Sequence, residues 1–138
     1  MNTAQMATRS ARAAVDEARG IEALYATGYW LLSQDRPADA ACVLRAMALV
    51  APADDRSWLA LGTCHEALGQ PEVALQMYGT GRVLARSSVR CDLARARILR
   101  AQGRNDEAER TVVAAADEAE GTLDDALLDL VSAERGRR

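Results

Sequence analysis

An all-α fold, a right-handed superhelix of stacked helix-turn-helix pairs, follows from three observations. Alanine returns at an even, long spacing, at Ala40, Ala74 and Ala108. Neighbouring positions return in step: Gly28, Gly62 and Ala96 are small, while Leu31, His65 and Leu99, and Leu44, Tyr78 and Val112, are bulky. Only three prolines occur, and none interrupts a helical stretch. A period this long describes a helical hairpin that cannot bury its apolar face alone and must stack on its neighbours. The 138 residues, 49% hydrophobic, fit a single domain, 1–138, with enough apolar surface for a core.

The period is the tetratricopeptide signature, and it places the elements in order. Residues 1–10 are small and polar and are expected to fray. Residues 11–20 read as a short alanine-rich helix closed by Gly20. The first repeat spans 21–54, with helix A from Ile21 to Ser33, a turn at Asp35-Arg36-Pro37, and helix B opening on Pro37. Pro52 and the pair Asp54-Asp55 close it and cap the next helix. The second repeat, 55–88, fits best: Trp58, Leu61, Gly62, Ala74 and Tyr78 fall in phase, and Gly69-Gln70-Pro71 make the turn. The third, 89–122, is degenerate, because Asp92 and Arg95 stand where large apolar residues are usual. Gly103 and Asn105-Asp106 mark its turn. A capping helix over 123–134 follows, with Leu123, Ala126, Leu127, Leu130 and Val131 on one stripe and Asp124, Asp125 and Asp129 opposite. Arg135 to Arg138 are expected to be disordered.

Composition removes several functions. The net charge of −3 argues against nucleic-acid binding, which needs a basic face to displace counterions. All the Lys+Arg positions are Arg, as codon usage in a GC-rich genome would give, or, more sharply, a demand for bidentate contacts. No apolar run reaches the ~18 residues that span a bilayer, so membrane insertion is not expected. Met1 to Arg19 lacks the apolar block of a secretory signal. Cys42, Cys64 and Cys91 are odd in number and widely spaced, which suits reduced thiols in a cytoplasm. With His65 as the single histidine and no Cys-x-x-Cys, no metal site is expected, and His65 reads as a packed core residue. Gly79-Thr80-Gly81 sits mid-helix and is no phosphate loop, so neither a cofactor nor a catalytic set is expected.

In such a stack the A helices line the concave wall. The inward positions are Glu22, Tyr25, Tyr29 and Leu32, then Arg56, Leu59, Thr63 and Glu66, then Arg90, Leu93, Arg97 and Arg100. One end is aromatic and aliphatic, the other basic. Apolar anchors of a bound peptide are expected near Tyr25, Tyr29, Leu32 and Leu59, and its acidic or C-terminal groups near Arg97 and Arg100. The competing readings are that the tyrosines pack against the N-terminal helix, and that the arginines pair with the acidic last helix. A lysine–asparagine carboxylate clamp is excluded: there is no Lys, and the only asparagines are Asn2 and Asn105.

Leu24-Tyr25, Leu61-Gly62-Thr63-Cys64, Leu68-Gly69-Gln70, Ala74-Leu75 and Tyr78 resemble the class II chaperones of type III secretion, over about residues 20–116. The resemblance implies a small cytoplasmic bacterial protein. It implies a groove that takes an extended segment near the N-terminus of a hydrophobic translocator, with Tyr25, Tyr29 and Leu32 on the first groove helix and Leu59 and Thr63 on the second. The client stays soluble until export, without ATP, because burial of apolar surface does the work. The resemblance also admits a homodimer. The stretch Leu93-Ala94-Arg95-Ala96-Arg97 departs from it, since the family keeps an aromatic residue and a histidine there. A scaffold subunit of a larger assembly, bound through its convex face or last helix, is the alternative reading, and an enzyme is not expected.

Overall fold

The computed structural model describes residues 2–122 and 124–137. Among the described residues it holds seven helices: α1 Thr3–Ser33, α2 Pro37–Val50, α3 Asp55–Ala67, α4 Pro71–Leu84, α5 Val89–Ala101, α6 Asn105–Thr122 and α7 Asp125–Arg135. The pairs α1–α2, α3–α4 and α5–α6 form hairpins. Successive hairpins stack, so that α1, α3, α5 and α7 touch in turn.

The start of the chain differs from the sequence expectation. The segment expected to fray is helical from Thr3, and Gly20 does not end a helix. A capping box closes the N-terminus: the Gln5 N–H donates to Asn2 Oδ1 at 2.9 Å, and the Asn2 N–H to Gln5 Oε1 at 3.0 Å. Between that cap and Ser33 no proline intervenes. An isolated glycine costs a helix only ~1 kcal/mol, too little to stop it. The N-terminal helix and the first A helix are therefore one rod, exposed from Asn2 to Gly20.

The later starts and stops obey local chemistry. Pro37 and Pro71 open α2 and α4 at the first turn, where a missing N–H costs nothing. Asp54 caps α3 by accepting from the Arg56 N–H at 3.1 Å, and Asp124 caps α7 through Leu127 at 3.2 Å. Asp35, Gly69 and Gly103, which share one phase of the repeat, take the left-handed conformation after each A helix, with φ of 55°, 71° and 74°.

Inside each hairpin a large residue of helix B fills the space left by a small residue of helix A. Leu44 packs on Gly28 and Tyr78 on Gly62, while Ala40, Ala74 and Ala108 are fully buried beside them. His65 lies in this core, its Nδ1 2.7 Å from Gln70 Oε1. Cys64 and Cys91 are also buried, and burial pushes their thiols up to about 11 and about 12. A thiol-specific alkylating reagent at pH 8 is therefore expected to label only Cys42 of the three cysteines in the folded chain, and all three in denaturant. Mass spectrometry reads the difference.

The last helix ends the stack from one side only. Leu127 and Val131 are buried against Val89, Ala115 and Ala119, and Glu134 is buried with them. Ala126 and Leu130, expected on the same stripe, are exposed. A terminal helix gripped along one edge buries a narrower stripe than one flanked on both sides. Leu123 and Arg138 lie outside the described residues, and Arg135, expected to be disordered, is the last residue of α7.

Candidate functional site

The inner wall is built by the C-terminal half of α1 with α3, α5 and α7. Its first panel is apolar. Tyr25 is half-buried and packs on the first core cluster, as does Leu32. Tyr29 is 62% exposed, and its ring centroid lies 6.2 Å from that of Tyr25. Because the N-terminal segment continues α1 as one rod, it does not fold back to cover these rings. Leu59 is half-buried on the next core cluster. Thr63 is exposed, but its hydroxyl already donates to the Leu59 carbonyl at 3.0 Å.

The charged positions answer one another. Arg56 reaches Glu22, one repeat earlier, at 2.6 Å and Asp54 at 2.7 Å, with its guanidinium 4.7 Å from the Tyr25 ring centroid. Hydrogen bonds from Arg56 hold the carboxyls of both Glu22 and Asp54 below the usual range. Glu66 accepts two bonds from Arg97, at 2.8 and 2.7 Å, and one from the Tyr78 hydroxyl at 2.6 Å. Arg100 pairs with Glu134 of α7 and with Glu109 of α6, the latter at 3.0 Å. Arg97 and Arg100 are thus neutralised from within, whereas Arg90, exposed at the start of α5, makes no ion pair among the described residues. Arg97 finds its carboxylate on α3 rather than on the last helix, and Arg100 finds one of its two on α7. Leu93, half-buried, packs beside Leu127 and Leu128, and a cleft of about 210 Å³ opens there between α5 and α7. At the opposite lip a larger cleft, about 670 Å³, is lined by Ile21, Val50 and Pro52 with Glu22, Asp54 and Arg56.

The structure therefore brings Tyr25, Tyr29, Leu32, Leu59, Thr63, Glu66, Leu93, Arg97 and Arg100 onto A helices that adjoin in the stack, with the aromatic pair and the arginines at different ends. Sequence reasoning missed Glu134. It lies one full repeat beyond Arg100, in the phase of Leu32 and Glu66, so the repeat count carried one beat further would have found it.

The Glu66 pair has a pH signature. The Arg97 guanidinium lowers the Glu66 carboxyl below its ordinary 4.5, the Tyr78 hydroxyl adds to this, and burial opposes both. A carboxyl depressed in the folded state contributes stability that is present above the unfolded value and lost as pH falls through the folded one. The melting temperature is therefore expected to drop on acidification below about 4.5, and Glu66→Gln to drop less steeply. Melting curves between pH 7 and pH 3 decide this, and parallel slopes would remove Glu66 from the acid transition.

No family model and no curated protein matches the chain. Solved structures do. PcrH from Pseudomonas aeruginosa is 29% identical with a TM-score of 0.69, over 83% of this chain and 87% of that one. PcrH in complex with the chaperone binding region of PopB gives the same identity and TM-score over 83% and 93%. The Yersinia enterocolitica type III secretion translocator chaperone SycD is 25% identical with a TM-score of 0.66, over 82% and 88%. By fold and by sequence the chain is similar to type III secretion translocator chaperones.

Proposed function

We propose that this chain, built like the type III secretion translocator chaperones, is itself one. It holds an extended segment near the N-terminus of a hydrophobic translocator against the wall of α1, α3 and α5, and keeps that client soluble in the bacterial cytoplasm until export. The likeness to PcrH carrying the chaperone binding region of PopB supports the class of partner. The observation that carries the reading is the wall itself. Its apolar panel, Tyr25, Tyr29, Leu32 and Leu59, stands partly open, while the charges around it are cancelled by their own neighbours. Such a surface favours aliphatic or aromatic anchors on a strand without charge, and burying them supplies the binding free energy.

Co-expression tests this. The chain is expected to bring a translocator from its own genome into the soluble fraction as a stoichiometric complex, and Tyr29→Glu, at a largely exposed ring, to return that client to the pellet while the chaperone stays folded. A client equally insoluble with the parent chain would overturn the reading. The scaffold reading would instead rest on outer residues such as Leu49 and Val83, 83% and 79% exposed. Under the chaperone reading, Leu49→Glu with Val83→Glu leaves client solubility unchanged.

A further inference from the structure

The third repeat departs from its own pattern on the side away from the groove. Asp92 and Arg95 occupy the places that Trp58 and Leu61 take one repeat earlier. Asp92 is 1% exposed. Its Oδ2 accepts from the Ser88 hydroxyl at 3.2 Å, but its Oδ1 accepts no hydrogen bond, with Arg82 Nε at 3.5 Å and Arg95 Nη1 at 3.6 Å. Burial pushes the Asp92 carboxyl above the ordinary carboxylate range. The buried Nε of Arg95 likewise has no acceptor. Two charged residues in a repeat core, each with an unsatisfied atom, are costly, and an apolar pair would serve the fold better.

Arg95, but not Asp92, lines a cleft of about 300 Å³ built from α4, α5 and α6, together with Arg82, Leu99, Glu107, Arg110 and Thr111. Three guanidinium groups line it with one carboxylate, and two of them, Arg82 and Arg95, also share the buried Asp92 behind it. The lining carboxylate is already taken: Arg104 donates to both oxygens of Glu107, at 2.9 and 2.8 Å. Arg110 makes no ion pair among the described residues. The charge left over is that of Arg110, beside an Arg82–Arg95 pair that shares one carboxylate, an Arg95 Nε–H without an acceptor, and room for a small tetrahedral anion.

We propose that this cleft binds a phosphate-type oxyanion, free phosphate or pyrophosphate, with Arg82, Arg95 and Arg110 as its donors and Arg95 Nε–H gaining the acceptor it lacks. Planar guanidinium groups match such oxygens in pairs, and a multiply charged anion offsets more of the surplus than a single carboxylate. The site shares α5 with the peptide wall but uses different residues of that helix, Arg95 and Leu99.

The test uses the full-length chain labelled with ¹⁵N. Titration with sodium pyrophosphate, sodium phosphate or sodium chloride at matched ionic strength is followed at the arginine Nε–H signals and by melting temperature. Phosphate and pyrophosphate are expected to shift the Arg95 Nε–H signal to saturation and to raise the melting temperature, with chloride doing neither. Arg110→Gln, at an exposed residue outside the core, is expected to melt like the parent without anion and to weaken pyrophosphate binding about tenfold. Arg82→Lys, which keeps a cation beside the buried Asp92 but loses the guanidinium fork, serves as a second variant and is expected to weaken pyrophosphate binding. Responses that track chloride overturn the proposal, as does parent-like affinity in both variants. Saturation by an acidic peptide but by neither phosphate also overturns it, in favour of a protein partner.

Discussion

Gly62→Ala is expected to lower the melting temperature by roughly 6–10 °C, a large loss for a single added methyl group. A Cβ on Gly62 would meet the Tyr78 ring at 2.0 Å from Cε1 and 2.2 Å from Cζ. That ring is fully buried, and its hydroxyl is held by Glu66, which Arg97 holds in turn. It cannot withdraw without breaking this chain of contacts. Alanine gains ~1 kcal/mol in helix propensity over glycine, but overpacking on this scale costs more, leaving a net loss of about 2–3 kcal/mol. Gly20→Ala is the control. Nothing lies within 4 Å of the added carbon, and the position is exposed within α1, so the same substitution should stabilise by ~0.5–1 kcal/mol. Thermal melts of the two variants should therefore move in opposite directions. Movement in the same direction would mean that the α3–α4 crossing is looser than described.

Tyr29→Ala is expected to cost about 2 kcal/mol of client binding, roughly 30-fold in Kd, with stability within ~0.5 kcal/mol of the parent. The ring is largely exposed and makes no hydrogen bond among the described residues, so the folded chain loses little without it. A bound segment would lose a rigid aromatic wall. Tyr25→Ala should behave differently. That ring packs on the core and carries the Arg56 guanidinium, so both stability and binding fall. Calorimetry with a translocator peptide, paired with thermal melts, separates the two. Unchanged affinity in Tyr29→Ala would place Tyr29 outside the binding surface.

The period made much of the architecture readable. Ala40, Ala74 and Ala108, the small residues opposite Leu44 and Tyr78, and the turn at Gly69 each obey short-range rules, and the structure puts them in the expected places. Gly20 misled because a glycine's helix-stopping power depends on what flanks it. Here a distant capping box and a proline-free run outweigh it. The wall's electrostatics were harder to read. Arg97 looks free along the chain, and its carboxylate, Glu66, lies far back in sequence on the adjacent A helix. The stripe expected on α7 is wider than the buried one, since sequence periodicity does not say that a terminal helix is gripped from one side.

The pairing of Glu22 with Arg56, Glu66 with Arg97 and Arg100 with Glu134 bears on how a client is caught and let go. A surface whose charges are mostly paired with one another steers a visitor only weakly, so encounter should run near the unsteered rate of ~10⁵–10⁶ M⁻¹s⁻¹ and change little as sodium chloride is raised. Added salt would then be a poor key for opening the grip. If the chain carries a translocator client as proposed, release would have to come from traction on that client or from a rival apolar surface.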